Sequence, residues 1–226
     1  MLKKRKFFWL GILFLLLIGA GWGYYQFQKP HESAAGERAN VTIEADSLYA
    51  QYASNFTRNH YEVWMVDYPG FGKSTGTLSE KIMYGDAALL YQMARSQFSK
   101  DSILIYGKSL GSGIASQLAS VKDCKRLILE TPYYSIDALM NHYAFIYPAA
   151  MMAKYHFPTY QYLRQVEVPV TLIHGTGDEI IPFSQSTRLK SEIPSVQLVS
   201  IKNGKHNNLS DIPFFHQQLD SLLNAP

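Results

Sequence analysis

The chain of 226 residues is 47% hydrophobic and 17% charged, and it contains one cysteine. Because a domain usually has about 100–200 residues, this length corresponds to one domain with an appendage. The composition excludes collagen, disordered polyelectrolytes and multi-span membrane proteins. Cys124 cannot form an internal disulfide or a multi-cysteine zinc site, and we expect it to be buried as a small apolar side chain.

The formal net charge of +3 comes from the amino terminus. Residues 1–30 contain five basic and no acidic side chains, so the rest of the chain has 16 basic and 18 acidic groups and a net charge of −2. A nucleic-acid-binding domain usually carries a basic excess. The charge distribution therefore predicts no nucleic-acid partner.

The amino terminus has the pattern of a membrane anchor. Phe7 to Tyr25 is a run of 19 uncharged residues, which as a helix would be about 28 Å long, close to the ~30 Å of bilayer hydrocarbon. Four basic residues precede the run and predict a cytoplasmic amino terminus. We therefore predict a single-pass anchor over residues 1–28, an exposed linker over 29–46 and an extracytoplasmic domain over 47–226.

A cleaved signal peptide is the alternative interpretation of the same segment. Its apolar region would be Phe7 to Ile18, and Gly19-Ala20-Gly21 would supply the small residues of a cleavage site. This alternative predicts a secreted protein.

Beyond the linker, helical and strand patterns alternate. Amphipathic spacing predicts helices over Ser47–Arg58, Ser79–Phe98, Leu110–Ser120, Gln185–Glu192 and Ile212–Leu223. Apolar runs between turn residues predict strands over Tyr61–Val66, Ser102–Tyr106, Arg126–Leu129, Val168–Ile173 and Val196–Ile201. The alternation predicts an α/β fold, a mostly parallel sheet with helices on both faces, which binds ligands outside the carboxyl ends of its strands.

The first strand end that carries a reactive residue is Gly107-Lys108-Ser109-Leu110-Gly111. This G-x-S-x-G stands directly between a predicted strand and a predicted helix, a context in which a serine sits on a sharp, exposed turn. Glycines on either side let the backbone pass closely. The N–H of Leu110, at the helix amino terminus, would point at a developing oxyanion. The pattern predicts Ser109 as a nucleophile.

Two further strand ends carry the groups that such a serine needs. Asp178 lies in the loop after Val168–Ile173, and His206 lies in the loop after the last strand. A serine hydroxyl requires a base, and the base requires a carboxylate that fixes its tautomer. The chain order of serine, aspartate and histidine is that of an α/β-hydrolase triad.

Other candidates fit these roles less well. His174 ends a strand and is expected to pack or to support the site, and Glu179 would point away from it. The segment Gly70-Phe71-Gly72-Lys73-Ser74 ends like a phosphate-binding loop, but Asp67 stands where such a loop needs glycine. We therefore predict no nucleotide, no metal and no cofactor.

These motifs together resemble a known family. The segments are Asp67 to Ser74, Tyr106 to Gly113, Leu129 to Tyr133, His174 to Asp178 and Gly204 to His206. From about residue 47 to its end the chain is similar to α/β-hydrolases of the serine aminopeptidase-like group, especially its membrane-anchored members. The resemblance implies Ser109 as nucleophile, Asp178 as acid and His206 as base. It does not imply aminopeptidase activity, because such relatives include esterases, lipases and thioesterases.

The front of the domain departs from the pattern that the resemblance implies. Such hydrolases place two or three strands, and a His-Gly loop that donates the second oxyanion N–H, before the helix corresponding to Ser47–Arg58. Here residues 26–46 contain no apolar strand better than Asn40 to Ile43, and the only His-Gly is His174-Gly175. We expect about five strands, with Tyr61–Val66 either paired beside Ser102–Tyr106 or separated from it by a gap.

Residues 132–166 interrupt the alternation and are rich in tyrosine, phenylalanine and methionine. We predict a helical cap whose aromatic side chains either line an apolar acyl pocket or pack the cap onto the sheet.

Two functions follow as alternatives. The first is a serine hydrolase that cleaves an ester, thioester or amide of a small or lipid-like acyl substrate. The second is a catalytically impaired remnant with a binding or structural role.

Overall fold

The computed structural model describes residues 47–66, 79–143 and 154–225. The predicted anchor and linker, over residues 1–46, lie outside the described residues, as does the glycine-rich segment after Asp67. None of the helices within the described ranges is both long enough and apolar enough to cross a bilayer.

Four parallel strands form the sheet in the part of the chain that the structure describes. They are β1 (Leu104–Lys108), β2 (Arg126–Glu130), β3 (Val170–Gly175) and β4 (Gln197–Ile201), in the spatial order β1-β2-β3-β4. In β2 and β3, apolar side chains point to both faces, because both faces are covered by helices.

Seven α-helices accompany the sheet in the described ranges. They are α1 (Ser47–Thr57), α2 (Glu80–Arg95), α3 (Leu110–Val121), α4 (Ile136–Tyr143), α5 (Thr159–Leu163), α6 (Ser184–Glu192) and α7 (Pro213–Asn224). Within two residues, the helices predicted from amphipathic spacing agree with α1, α3, α6 and α7. Helix α2 begins where predicted, because the Ser79 side chain accepts the Ile82 N–H as an N-cap, but it ends three residues earlier.

Alternation of side chains along the strands builds a core on each face of the sheet. Leu129 and Leu172 point to the face that α2 to α6 cover, whereas Ile128 and Ile173 point to the face covered by α7, and all four are fully buried. The expected parallel sheet with helices on both faces is therefore confirmed. Cys124 is buried in the first of these cores, as expected, and burial raises the pKa of its thiol to about 11.

The strand predicted over Tyr61–Val66 is wrong, and the sheet has four described strands rather than five. This segment has no regular secondary structure, because no described strand lies beside it to supply hydrogen bonds. A cavity of about 630 Å³ has Val63 and Met65 in one wall and Ile103 and Ile105 in another. Of the two arrangements expected for Tyr61–Val66, pairing beside β1 is not seen among the described residues, and this cavity lies between the two segments.

Candidate active site

Ser109 lies on a sharp turn between the end of β1 and the start of α3. Its φ of 51° and ψ of −122° lie outside the regions that ordinary side chains favour, which strains the backbone. The turn is held by the Ser109 N–H, which donates to the Glu130 carbonyl at 3.0 Å, and by the Ser109 carbonyl, which accepts from the Ser112 N–H at 2.9 Å.

Gly107 is required at this turn, whereas Gly111 is not required by sterics. A Cβ on Gly107 would lie 2.5 Å from the Gly111 carbonyl oxygen and 2.6 Å from the Ala115 Cβ. A Cβ on Gly111 would meet nothing within 4 Å. The first glycine of the motif therefore lets β1 and α3 approach, and the second has no such role.

The structure brings Ser109, His206 and Asp178 together. The Ser109 Oγ lies 3.1 Å from the His206 Nε2, and the His206 Nδ1 lies 2.9 Å from the Asp178 Oδ2. A carboxylate only accepts hydrogen bonds, so the His206 Nδ1 carries the proton and the Nε2 is free to accept the serine hydroxyl. Ser109 and His206 are both buried, at 7% and 0% exposure.

The carboxylate of Asp178 is fully buried and fully engaged. Its Oδ1 accepts the backbone N–H groups of Ile180 at 2.9 Å and Ile181 at 2.8 Å. Burial by itself would raise the pKa of Asp178, but the hydrogen bonds from His174, His206 and the Ile181 N–H together hold that pKa well below its usual range. Asp178 is therefore ionised at neutral pH. Glu179, the neighbouring candidate, is exposed.

His174 also contacts the Asp178 carboxylate. Its Nε2 lies 2.9 Å from the Ile181 carbonyl and 3.3 Å from the Asp178 Oδ2, so this nitrogen carries the proton. Its Nδ1 accepts from the Ser186 hydroxyl at 2.7 Å. The supporting role expected for His174 agrees with these contacts.

Two glycines outside the G-x-S-x-G motif bring the loops of Asp178 and His206 together. A Cβ on Gly175 would lie 2.2 Å from the Gly204 carbonyl oxygen, and a Cβ on Gly204 would lie 2.5 Å from the Leu209 side chain. The Gly177 N–H also donates to the Gly204 carbonyl at 2.9 Å. Sequence reasoning missed this contact, although glycines flanking both candidate residues were a visible signal.

Leu110 is the first residue of α3 and follows Ser109 directly. The first N–H groups of a helix have no intrahelical acceptor, so the Leu110 N–H is available at the positive end of the helix dipole. The side chain of Leu110 packs against the core, and its carbonyl accepts from the Tyr133 hydroxyl at 3.1 Å.

Behind Ser109 lies a buried ion pair that sequence reasoning also missed. The Lys108 ammonium lies 2.7 Å from the Glu130 Oε1, and it donates to the Tyr52 hydroxyl. The other Glu130 oxygen accepts the Tyr106 hydroxyl. Burial would lower the pKa of Lys108, but the charge of Glu130 and the contacts with Tyr52 and Glu130 together outweigh burial and raise that pKa.

Comparison with known protein families identifies the family of this chain. The profile of the Hydrolase_4 family, described as serine aminopeptidase S33, matches residues 42–165. The chain belongs to this family.

Curated proteins that are similar in sequence to this chain are named as α/β-hydrolase domain-containing proteins. It is 31% identical over 166 residues to the alpha/beta hydrolase domain-containing protein aho-3 of Caenorhabditis elegans, covering 71% of this chain and 48% of that protein. It is 29% identical over 185 residues to the alpha/beta hydrolase domain-containing protein 17C of Mus musculus, covering 80% and 55%. The chain spans about half the length of these relatives.

Solved structures of an esterase and of an α/β-hydrolase superpose on this chain, which supports the α/β-hydrolase fold. An esterase of Pyrococcus furiosus superposes with a TM-score of 0.62 at 19% identity, over 79% of this chain and 75% of that one. An alpha-beta hydrolase of Vibrio vulnificus gives a TM-score of 0.65 at 20% identity, over 78% and 68%.

The region predicted as a cap, residues 132–166, contains α4 and α5. Among its described aromatic side chains, Tyr133 and Phe157 are buried in the core shared with the sheet, and Tyr134 stacks on Tyr160 within the region, with ring centroids 4.3 Å apart. The Tyr143 hydroxyl lies 3.0 Å from the Ile180 carbonyl, which ties α4 to the loop of Asp178. These contacts show packing for the described aromatic side chains.

Proposed function

We propose that the chain is a serine hydrolase that cleaves an ester, thioester or amide through an acyl-enzyme on Ser109. The observation that carries this proposal is the continuous hydrogen-bonded line from the Ser109 Oγ through both nitrogens of His206 to Asp178. A buried serine whose hydroxyl points at an unprotonated imidazole nitrogen is arranged for nucleophilic attack.

The proposed reaction proceeds in two steps. The His206 Nε2 takes the hydroxyl proton while the Ser109 Oγ attacks the substrate carbonyl, and the resulting imidazolium is stabilised by Asp178. His206 then gives the proton to the leaving oxygen, sulfur or nitrogen, and the acyl group remains on Ser109. In the second step, His206 deprotonates a water molecule, which attacks the acyl carbon. The bond to the Ser109 Oγ then breaks, the acid leaves, and His206 returns the proton to the serine oxygen. The reaction requires no cofactor.

The proposed oxyanion donor is the N–H of Leu110, at the amino terminus of α3. Loss of one of two oxyanion donors costs roughly 100- to 1000-fold in rate. The second candidate function is an impaired hydrolase that binds a ligand in the cavity beside β1, which Ser109 and Leu110 also line. The proposed substrate is a small or lipid-like acyl compound, and residues 1–28 are proposed to hold the protein at a membrane with its hydrolase domain on the extracytoplasmic side.

A fluorophosphonate probe tests the proposal, because it reacts only with an activated serine. We expect the full chain to be labelled, with the mass shift on the peptide containing Ser109. Ser109→Ala should abolish labelling and His206→Ala should reduce it by at least about 100-fold. Ser120→Ala is a matched control near the other end of the same helix, where the Ser120 hydroxyl donates to the Gln117 carbonyl, and it should leave labelling of Ser109 intact. An unlabelled, folded wild-type chain would support the impaired remnant and refute the hydrolase.

Hydrolysis of an aryl ester measures the strength of the oxyanion site separately. A chain that has only the Leu110 donor should be labelled yet turn over slowly. Turnover at the usual enzymatic rate of about 1–1000 per second would show that a second donor is present.

A further inference from the structure

Asp178 lies in the middle of a line of polar contacts that is longer than the triad. In one direction the line runs through His206 to Ser109. In the other direction the Asp178 Oδ2 lies 3.3 Å from the His174 Nε2, and the His174 Nδ1 lies 2.7 Å from the hydroxyl of a second serine, Ser186. The same order of serine, histidine and aspartate therefore occurs twice around one shared carboxylate.

The two serines of this line have different surroundings. Ser109 lies on the turn after β1 and lines the cavity. Ser186 is the third residue of α6, and together with Leu189 it belongs to the buried face of that helix, where both residues are 0% exposed. Ser186 thus meets other side chains and not a substrate, so its half of the line is not a second active site.

The Ser186 hydroxyl is directed away from its own helix. A helical serine commonly donates to a backbone carbonyl three or four residues earlier. Ser116, Ser120 and Ser191 all do so. Ser186 instead donates to the Nδ1 of His174 in β3. Because that nitrogen accepts a hydrogen bond, the proton of the neutral imidazole is on its Nε2.

The His174 Nε2–H holds the loop that carries Asp178. It donates to the Ile181 carbonyl at 2.9 Å and lies 3.3 Å from the Asp178 Oδ2. The Ile181 N–H donates to the Asp178 Oδ1 at 2.8 Å, so both backbone groups of Ile181 are engaged. In the other tautomer, a lone pair on Nε2 would face a carbonyl and a carboxylate, which repel it. The Phe183 ring packs against the His174 ring, with centroids 5.6 Å apart and planes at 86°, and this contact holds the imidazole plane.

Helix α6 is itself fixed in place where it presents Ser186. Leu189, one turn further along the same face, is fully buried in the core. The side chain of Gln185 is also buried, and it accepts the Tyr134 N–H at 3.1 Å. Groups presented by packed helices keep their positions better than groups on loops. The Ser186 hydroxyl is therefore a rigid reference point for the loop of Asp178.

We propose that Ser186 and His174 are positioning residues for the triad. Ser186 fixes the tautomer of His174, and His174 fixes the loop and the carboxylate of Asp178. The oriented carboxylate then holds His206 with its proton on Nδ1 and its Nε2 toward Ser109. The effect on reactivity rests on the proposed hydrolase function, whereas the effect on the two histidine tautomers does not.

Ring ¹⁵N chemical shifts in a histidine-labelled full-length chain test this assignment without any need for activity. In the wild type at mildly alkaline pH, we expect the proton of His174 on Nε2 and that of His206 on Nδ1. Ser186→Ala removes the donor to His174, so each ring should lose its single tautomer and become a mixture of two. Ser191→Ala is the matched control on the same helix, because the Ser191 hydroxyl donates to the Arg188 carbonyl, and it should leave both rings unchanged.

The rate at which the fluorophosphonate probe labels Ser109 measures the consequence for reactivity. Ser186→Ala should slow labelling at least about tenfold, the usual effect of losing a group that orients a functional side chain. His174→Phe keeps a ring without a donor and should slow labelling about 100-fold. His174→Gln has an amide N–H that reaches the position of the Nε2–H, and it should recover most of that loss. Thermal unfolding of each variant ensures that folded chains are compared.

Several results would overturn the proposal. A folded Ser186→Ala chain with wild-type ring shifts and wild-type labelling would refute the positioning role and leave the hydrolase function intact. A change at His174 with none at His206 would mean that the line does not reach the triad. If Ser186→Ala does not fold, Ser186→Cys replaces it, because a thiol has a similar size and is a weak donor. An unlabelled wild-type chain would refute the hydrolase function, and the ring shifts would still decide the positioning role.

Discussion

Lys108 and Glu130 form a buried charge pair directly beside Ser109 in the sequence and in the sheet. The side chain of Lys108 is 12% exposed and that of Glu130 is fully buried, yet each has a charged partner and a tyrosine hydroxyl. Removing one partner leaves the other as an uncompensated buried charge, which usually costs about 3–5 kcal/mol.

Lys108→Met should therefore lower the free energy of unfolding by about 3–5 kcal/mol, because the Glu130 carboxylate loses its cation. The double variant Lys108→Met/Glu130→Gln should lose less than Lys108→Met alone, since its amide can still accept from Tyr106. Urea unfolding of the wild type, both single variants and the double variant measures this coupling. If the losses of stability in the two single variants simply add up in the double variant, the two side chains are not coupled and the prediction is wrong.

Asp178 makes stability depend on pH in a definite direction. Its pKa is lower in the folded chain than its unfolded value of about 3.9, so the folded state binds fewer protons. Its contribution is complete above the unfolded pKa and is lost as the pH falls through the folded pKa.

Asp178→Asn should accordingly lower the Tm near pH 7, and the Tm difference from wild type should shrink as the pH falls below about 4. Thermal unfolding across pH 3 to 7 measures this. Asp123→Asn is the control, because the Asp123 side chain is 76% exposed, and its Tm difference should stay small throughout. A Tm difference for Asp178→Asn that is constant with pH would refute the argument.

At the scale of elements, the turn between β1 and α3 depends on one glycine of its motif. Gly107→Ala should force β1 and α3 apart, lower the Tm and slow labelling of Ser109, because its Cβ would overlap the Gly111 carbonyl. Gly111→Ala has open space in a helix and should be neutral or stabilising by up to about 1 kcal/mol. Thermal unfolding of the two variants distinguishes them, and equal destabilisation would contradict the steric argument.

The strands also show which features of the fold can be predicted from an amino-acid pattern. Arg126–Leu129 and Val168–Ile173 were predictable because a run of apolar residues records burial on both faces, and both segments lie inside the sheet. Tyr61–Val66 has a similar pattern, but no described strand pairs with it and none of its residues is fully buried, so the pattern by itself fixes neither pairing nor burial. The triad followed from three strand ends, whereas the contact of Gly175 with Gly204 and the pair of Lys108 with Glu130 join residues whose proximity depends on the register of the sheet.

For the whole molecule, stability should be concentrated in the central strands. Leu172 of β3 and Leu198 of the edge strand β4 are neighbours in the sheet, but Leu172 is fully buried and Leu198 only partly. Leu172→Ala should cost about 2–5 kcal/mol, since it leaves a cavity in the core. Leu198→Ala should cost clearly less. Urea unfolding compares the two directly, and similar losses would mean that burial in β3 is not what stabilises the sheet.

The positions of Ser109, Asp178 and His206 at the ends of β1, β3 and β4 have a kinetic consequence. Ser109 and His206 are 97 residues apart in sequence, so they meet only after β2 and β3 have joined β1 to β4. Contacts of such separation form late, because the chain between them must first be ordered. If a serine-reactive probe is added during refolding, it should label only molecules in which the whole sheet has formed. The rate at which labelling appears would then measure the last step of folding.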